Sequence, residues 1–366
     1  MSIETPQPVD ALQPNPIRFD AKSFVDSLPG RPGVYRMVDA DGEILYVGKA
    51  RNLKNRVASY FQPSNVHPKV QALIGKTVNM EVTITNSDTE ALLLELNLIK
   101  KHRPRFNIIL RDDKSFPFVH LTTIHEFPAL RLYRGSRKEP GRFFGPYPSA
   151  GAVRETLQQL QKLFRLRNCD DSYFANRSRP CLQYQIQRCT GPCVGLISHE
   201  RYARDVDAAI KVLEGRNDEV NQELGRRMEE AALHLDFEEA AKLRDQLANL
   251  KTVQAQQIVT ADLHHDADVI AVAAGSGEYC VALMFVRAGR SLGSTTFFPK
   301  APFAEPEEVL AAFVAQYYSE REAPAEIIVA HDFEEIGVLE STLSERSGHH
   351  VRIASSVRGL GRDGSR

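Results

Sequence analysis

The sequence predicts a multidomain chain of mixed α/β and α architecture. It comprises a small antiparallel sheet flanked by helices, a cysteine-rich segment, a helical hairpin and a second α/β layer. Three observations predict this. Gly33-Val34-Tyr35 and Tyr46-Val47-Gly48-Lys49 bracket Asp39-Ala40-Asp41-Gly42, a turn-forming tetrapeptide between two short β-type runs. Four of the five cysteines fall between Cys169 and Cys193. Apolar spacing is helical over 217–256 and becomes strand-like after Asp268. At 366 residues the chain is long enough for two to four domains.

The apolar fraction of 42% and charged fraction of 25% are those of a globular protein, and no run approaches the length of a membrane span. The N-terminus is acidic and bears prolines, with no basic region before an apolar one, so a cytosolic protein is expected. Charge is split along the chain. Residues 1–190 carry 28 basic and 18 acidic side chains (+10), and residues 191–366 carry 18 and 29 (−11). A basic half suits a polyanion, and solvated basic loops would give the same composition.

In order, residues 1–28 read as a proline-bearing leader and a first helix from about Asp20 to Ser27. Strands over Gly33–Val38 and Glu43–Val47 follow. If Val38 pairs with Glu43, Tyr35 lies opposite Tyr46 with both phenols on one face. Lys49 to Tyr60 reads as a helix with Lys49, Arg56 and Tyr60 near one side. Tyrosines beside a lysine and an arginine make a place where a phosphate can be held and attacked. A helix from about Pro68, a strand over Asn79–Thr85 and a helix over Ala91–His102 complete this region. Ser87-Asp88-Thr89-Glu90 has capping-box spacing at the start of that last helix, and Pro104 stops it. Glu95 lies within its apolar stripe of Ala91, Leu92, Leu98 and Ile99. A carboxylate there needs a partner, either a metal ion or a cation such as arginine.

Taken together, Gly33-Val34-Tyr35, Tyr46-Val47-Gly48-Lys49, Arg56, Tyr60, Glu95 and Asn107 resemble the GIY-YIG nucleases, and within them the UvrC family of excinuclease subunits. Arg111-Asp112-Asp113-Lys114-Ser115-Phe116-Pro117-Phe118 and Phe143-Phe144-Gly145-Pro146-Tyr147 extend the resemblance. Valines replace both isoleucines of the motif name, a swap of similar volume. The resemblance implies a nuclease domain over 29–108 that hydrolyses a DNA phosphodiester with Mg²⁺ or Mn²⁺. Glu95 would hold the metal and Arg56 the scissile phosphate. Tyr46 would activate water, with Lys49 favouring its deprotonated form, and Tyr35, Tyr60 and Asn107 would order water and metal ligands.

Residues 109–200 read as a basic linker and a cysteine-rich domain. Cys169, Cys181, Cys189 and Cys193 are spaced x₁₁, x₇ and x₃, unlike the paired CxxC of a zinc ribbon, and Cys₄ chemistry suits either Zn²⁺ or an iron–sulfur cluster. The resemblance implies [4Fe–4S]. Arg177, Tyr184, Arg179 and Arg188 give this segment the basic, aromatic character of a DNA-facing surface.

Residues 201–256 read as helical, and Leu235 to Asp245 resembles the UVR motif. This implies docking onto UvrB through Phe237, Glu238, Ala241 and Arg244, with UvrA acting earlier on the damaged duplex. A hairpin packed on its own chain is the alternative. Residues 262–366 read as a three-strand meander followed by helix, strand, helix and strand. Asp332 reads as a helix N-cap, and Cys280 as a core residue of an apolar strand. The region resembles the beginning of an RNase H-like part. We therefore expect an incomplete α/β region without the catalytic RNase H-like part that would make a 5′ incision, leaving the 3′ incision to this chain.

Overall fold

The computed structural model describes residues 20–62, 68–110, 115–257, 265–275, 278–301 and 304–355. The leader before Asp20, the run Arg111–Lys114 and the tail Gly359–Arg366 lie outside them. The chain forms two compact units, residues 1–109 with 301–304 and residues 110–300 with 305–366.

The first unit runs α1 (Ala21–Ser27), β1 (Gly33–Val38), β2 (Ile44–Ala50), α2 (Leu53–Tyr60), α3 (Pro68–Ile74), β3 (Asn79–Ile84) and α4 (Asp88–His102). Its sheet is antiparallel in the order β2-β1-β3. Strand alternation sends Tyr35, Met37, Tyr46 and Met80 to the face covered by α2 and α3, with Leu53, Val57, Tyr60 and Leu73. Val34 and Val47 point to the other face, where Ala91 and Ile99 of α4 cover them. Gly33 is required by close packing: a Cβ there would lie 2.7 Å from Leu53 Cδ1 and 3.2 Å from Ile84 Cα.

Two expectations for this region are corrected. A bulge after Met37 moves the register, so Val38 pairs with Ile44, Met37 with Tyr46 and Tyr35 with Gly48. Tyr35 and Tyr46 share a face but are diagonal neighbours, with ring centroids 6.1 Å apart. Lys49 belongs to β2 rather than to a helix, because Asn52 caps α2 by accepting from Asn55 N.

The second unit opens on β4 (Pro117–Thr122), β5 (Leu130–Arg134), β6 (Gly141–Phe144) and α5 (Ala150–Phe164). These strands pair antiparallel in the order β5-β4-β6, so the stretch read as a basic linker contains a sheet. Val119, Leu121 and Leu130 face a core shared with α5. Short helices α6 (Asp171–Ala175) and α7 (Leu182–Gln185) span the cysteine segment, and α8 (His199–Leu213), α9 (Asn217–Leu233) and α10 (Phe237–Gln257) follow. Leu224, Leu243 and Leu250 of the α9–α10 hairpin join Tyr202 and Val206 of α8 in the same core. The body of the hairpin therefore packs on its own chain. Its tip does not: Leu233, Leu235 and Phe237 are 81%, 72% and 66% exposed.

The last part is β7 (Ala267–Gly275), β8 (Glu278–Arg287), β9 (Arg290–Phe297), α11 (Pro306–Tyr318), β10 (Glu326–Val329), α12 (Ile336–Ser347) and β11 (Arg352–Ala354). The strands form one five-stranded sheet in the order β11-β10-β7-β8-β9, with β10 parallel to both neighbours and β7-β8-β9 an antiparallel meander. The expectation of an incomplete α/β region is corrected, since these residues build a five-stranded mixed sheet carrying two helices. Asp268 of β7 is buried and satisfied twice, by Arg287 Nη1 at 2.7 Å and the Tyr318 hydroxyl at 2.6 Å. Asp332 does not cap α12; its Oδ1 accepts from Phe333 N, and Glu335 is the N-cap. Cys280 is only half-buried.

Candidate active site

Three tyrosines gather on the α2 face of the first sheet. Tyr35 is fully buried and its hydroxyl lies 2.7 Å from that of Tyr60, each able to donate to the other. The Tyr60 ring meets Tyr35 edge-on at 5.8 Å. Arg56, one turn before Tyr60 on α2, sets its guanidinium 5.5 Å from the Tyr60 ring centroid and close to the Tyr35 phenol. The phenols around it raise its already high pKa, so it is a permanent cation, and the residue remains exposed. Gly48 makes the arrangement possible. A Cβ at this position would lie 2.5 Å from Tyr35 Cζ and 2.8 Å from Tyr46 Cε1, so glycine leaves the gap across which Tyr35 reaches.

The open edge of β2 is closed by side chains rather than by a strand. Asn107 is buried; its Oδ1 accepts from Val47 N at 2.8 Å and its Nδ2 donates to Val47 O at 2.7 Å. Phe106 N donates to Leu45 O beside it. Farther along the same edge, Glu95 Oε1 of α4 accepts from Lys49 N at 3.0 Å. A backbone amide is thus one partner of this glutamate. The Asn107 amide is committed to the β2 backbone in this way, which makes it a positioning residue. Removing two hydrogen bonds from a buried backbone carries a cost that can be measured. Asn107→Ala should destabilise the chain by about 1–3 kcal/mol, read as a lower urea midpoint with an unchanged slope. No change in midpoint would remove this role.

Electrostatics single out Tyr46. It is half-buried, and burial followed by Tyr60, Tyr35 and Glu95 pushes its phenol well above the usual value near 10. Arg56 opposes this and loses. Strand alternation sends the Lys49 side chain to the face of β2 that α4 covers. The Lys49 backbone N–H donates to Glu95. Burial also raises Tyr35 well above its usual value.

The expectation of a four-thiolate centre is corrected. Among the described residues no group of three or more His, Cys, Asp or Glu side chains is placed to hold a metal ion. Cys169, Cys181, Cys189 and Cys193 line one cavity of about 550 Å³. Burial pushes the Cys189 thiol up to about 11 and raises Cys193 as well, and the neighbouring thiols add to both shifts. At the hairpin, Phe237, Glu238 and Arg244 are exposed on α10 and Ala241 is half-buried. Arg244 is ion-paired with Asp245 at 2.8 Å.

Sequence reasoning missed Gly48 and the edge role of Asn107. The signal for Gly48 was present in a glycine flanked by strand residues, which marks close approach by another group. Nothing in the local pattern pointed to Asn107, whose partner is 60 residues away.

Family models match four successive regions: "UvrC-like GIY-YIG domain" over residues 31–108, "UvrC/Cho excinuclease, middle domain" over 116–212, "UvrB/uvrC motif" over 219–253 and "UvrC Ribonuclease H-like domain" over 266–363. The last match overturns the expectation that the RNase H-like part is lacking, because the five-stranded sheet falls within it. Among curated proteins, the UvrABC system protein C of Alkalilimnicola ehrlichii is 53% identical over 344 residues, covering 94% of this chain and 56% of that protein. That of Methylococcus capsulatus is 50% identical over 345 residues, covering 94% and 56%. The chain thus spans a little over half the length of these relatives. A solved structure, the GIY-YIG N-terminal endonuclease domain of UvrC from Thermotoga maritima bound to magnesium, is 36% identical. It covers 24% of this chain and 94% of that one, with a TM-score of 0.22. No helix among the described residues is long and apolar enough to cross a membrane.

Proposed function

We propose that the chain acts as a UvrC-family nuclease subunit of nucleotide excision repair. In this reading it hydrolyses a DNA phosphodiester on the 3′ side of a lesion held by UvrB, after UvrA has acted, in the cytosol. The observation that carries the reading is the convergence on β2 of Tyr46, the Glu95 carboxylate and the Arg56–Tyr35–Tyr60 cluster. Residues 29–108 serve as the nuclease domain, 109–200 as the middle region, 201–256 as the UvrB-binding region and 262–366 as the RNase H-like region.

Magnesium fits the donor set at Glu95. The ion is commonly held by one or two carboxylates, with water and phosphate oxygens filling its octahedral shell, and Glu95 supplies such a carboxylate at the β2 edge. When bound, it offsets phosphate charge and acidifies nearby water. The chain's own residues do the rest. Lys49 N fixes the carboxylate of Glu95, and Asn107 holds the β2 edge against which it rests. Arg56 takes a non-bridging phosphate oxygen, its orientation set by the Tyr35 phenol and the Tyr60 ring. Tyr46 receives the proton of the attacking water at its phenol oxygen.

That phenol is protonated at neutral pH, so the active fraction is small and grows as the proton leaves. With saturating magnesium, the single-turnover nicking rate is expected to rise with pH, approaching about tenfold per unit below the phenol's pKa. A flat profile between pH 7 and 9 would remove Tyr46 as the base.

The experiment that tests the whole reading loads UvrB on a lesion-bearing duplex, adds the chain with Mg²⁺, and maps the cuts. A nick 3′ to the lesion is expected, falling about a hundredfold or more in Tyr46→Phe with DNA binding retained. If the parent chain produces no such nick, the nuclease reading fails. The docking role has its own test. Phe237→Ala removes an aromatic side chain from an exposed hairpin tip and should weaken UvrB binding about tenfold or more, without changing the melt. Unchanged UvrB affinity would return the tip to an ordinary surface.

A further inference from the structure

Outside the hairpin tip, exposed large apolar side chains concentrate in one other place. Tyr173, Leu182, Tyr184, Ile186 and Leu196 are 52%, 64%, 39%, 49% and 50% exposed, all within the cysteine segment. Residues 172–199 contain three arginines and no aspartate or glutamate. A patch that is apolar, cationic and free of acids is unlike the hairpin tip, whose Phe237 is flanked by Asp236, Glu238 and Glu239.

The geometry within the patch is specific. The Arg177 guanidinium lies over the Tyr173 ring, 3.9 Å from its centroid, so a cation and an aromatic ring are already paired there. Gly191, at φ 72°, brings Tyr184 and Leu196 together: a Cβ on it would stand 3.1 Å from each. Tyr173, Arg177, Gln183 and Tyr184 line the same cavity, and two of their polar atoms are buried without a partner, Arg177 Nε and Gln183 Oε1. The exposed rings and the arginines are the groups a ligand would meet: a bare phosphate would use the cations and leave the rings bare, whereas a nucleotide offers a flat base to the rings and a phosphate to the cations.

We infer that this patch binds an unpaired DNA strand, with a base stacked on Tyr184 or on the Tyr173–Arg177 pair and the backbone drawn by Arg177, Arg179 and Arg188. A duplex keeps its base faces stacked inward, so the stacking geometry selects single-stranded DNA. The inference rests on the reading of the chain as a repair nuclease and adds where an opened strand is held, on residues of the other compact unit.

The test measures fluorescence anisotropy of the full chain on a labelled thymine 20-mer and on a duplex of equal length. It is run in EDTA so that no cleavage occurs, at two salt concentrations. Tyr184→Ala and Arg177→Ala are each expected to weaken single-strand binding by about tenfold, the effect of losing one stacked base. Tyr184→Phe should keep the parent affinity, because the ring is retained. Leu235→Ala at the hairpin tip should change nothing, and thermal melts confirm that each variant is folded. Equal single-strand affinity of the parent, Tyr184→Ala and Tyr184→Phe overturns the inference. So does a patch whose loss spares DNA and abolishes binding of UvrB. Tyr46→Phe separates the two readings, since it should bind the single strand like the parent while failing to nick. A parent that does not nick but loses strand binding in Tyr184→Ala would sink the nuclease reading and leave the patch standing.

Discussion

Glu95→Gln is expected to lower 3′ incision by about a thousandfold or more while leaving the fold intact. The amide is nearly isosteric with the carboxylate, and its oxygen can still accept from Lys49 N, so the β2 edge keeps its partner. The melting midpoint should therefore stay within about 0.5 kcal/mol of the parent. What disappears is the negative charge that would hold a divalent cation against the phosphate, a contribution of several kcal/mol to the barrier. Glu95→Ala should lose both, and the difference between the two variants isolates the hydrogen bond. Undiminished incision by Glu95→Gln would remove the metal from this residue.

Gly48→Ala should be the most damaging small substitution in the first unit. The added methyl would meet the Tyr35 ring at 2.5 Å and the Tyr46 ring at 2.8 Å, contacts that real Cβ atoms do not make. Tyr35 cannot retreat: it is fully buried, and its hydroxyl is hydrogen-bonded to that of Tyr60. We expect a loss of about 3 kcal/mol, at the upper end for overpacking, seen as a drop in melting temperature on the order of 10–20 °C for that unit. Incision should fall with it even at temperatures where the variant is folded, because the Arg56 guanidinium takes its orientation from the displaced ring. A variant that melts like the parent would show that β2 can shift to accommodate the methyl, and the fixed gap across from Tyr35 would no longer explain this glycine.

The pieces of the fold that were legible are those written in local pattern. β7 to β11 and their two helices were readable because alternation and helical spacing persist over each segment. The β4–β6 sheet was not, since its strands are short and lie among arginines, and only Val119, Leu121 and Leu130 mark its buried face. The hairpin of α9 and α10 was readable as helices. Its division into a packed body and a bare tip needed α8, whose Tyr202 and Val206 supply the other half of the core.

At the candidate site the local elements were legible and the wiring between them was not. By itself the sequence determined the turn, helix caps and strands of one small α/β region, because these are decided within a few residues, and only its resemblance to the GIY-YIG signature singled out Tyr35, Tyr46, Arg56, Tyr60, Glu95 and Asn107 within it. Only the tertiary structure decided that a bulge sets Tyr35 against Gly48, that Lys49 ends a strand, and that Glu95 and Asn107 close its edge. These depend on groups 46 and 60 residues apart in the chain. A carboxylate in an apolar stripe announces that it needs a partner, but which donor arrives is settled by packing between elements that carry no local record of one another.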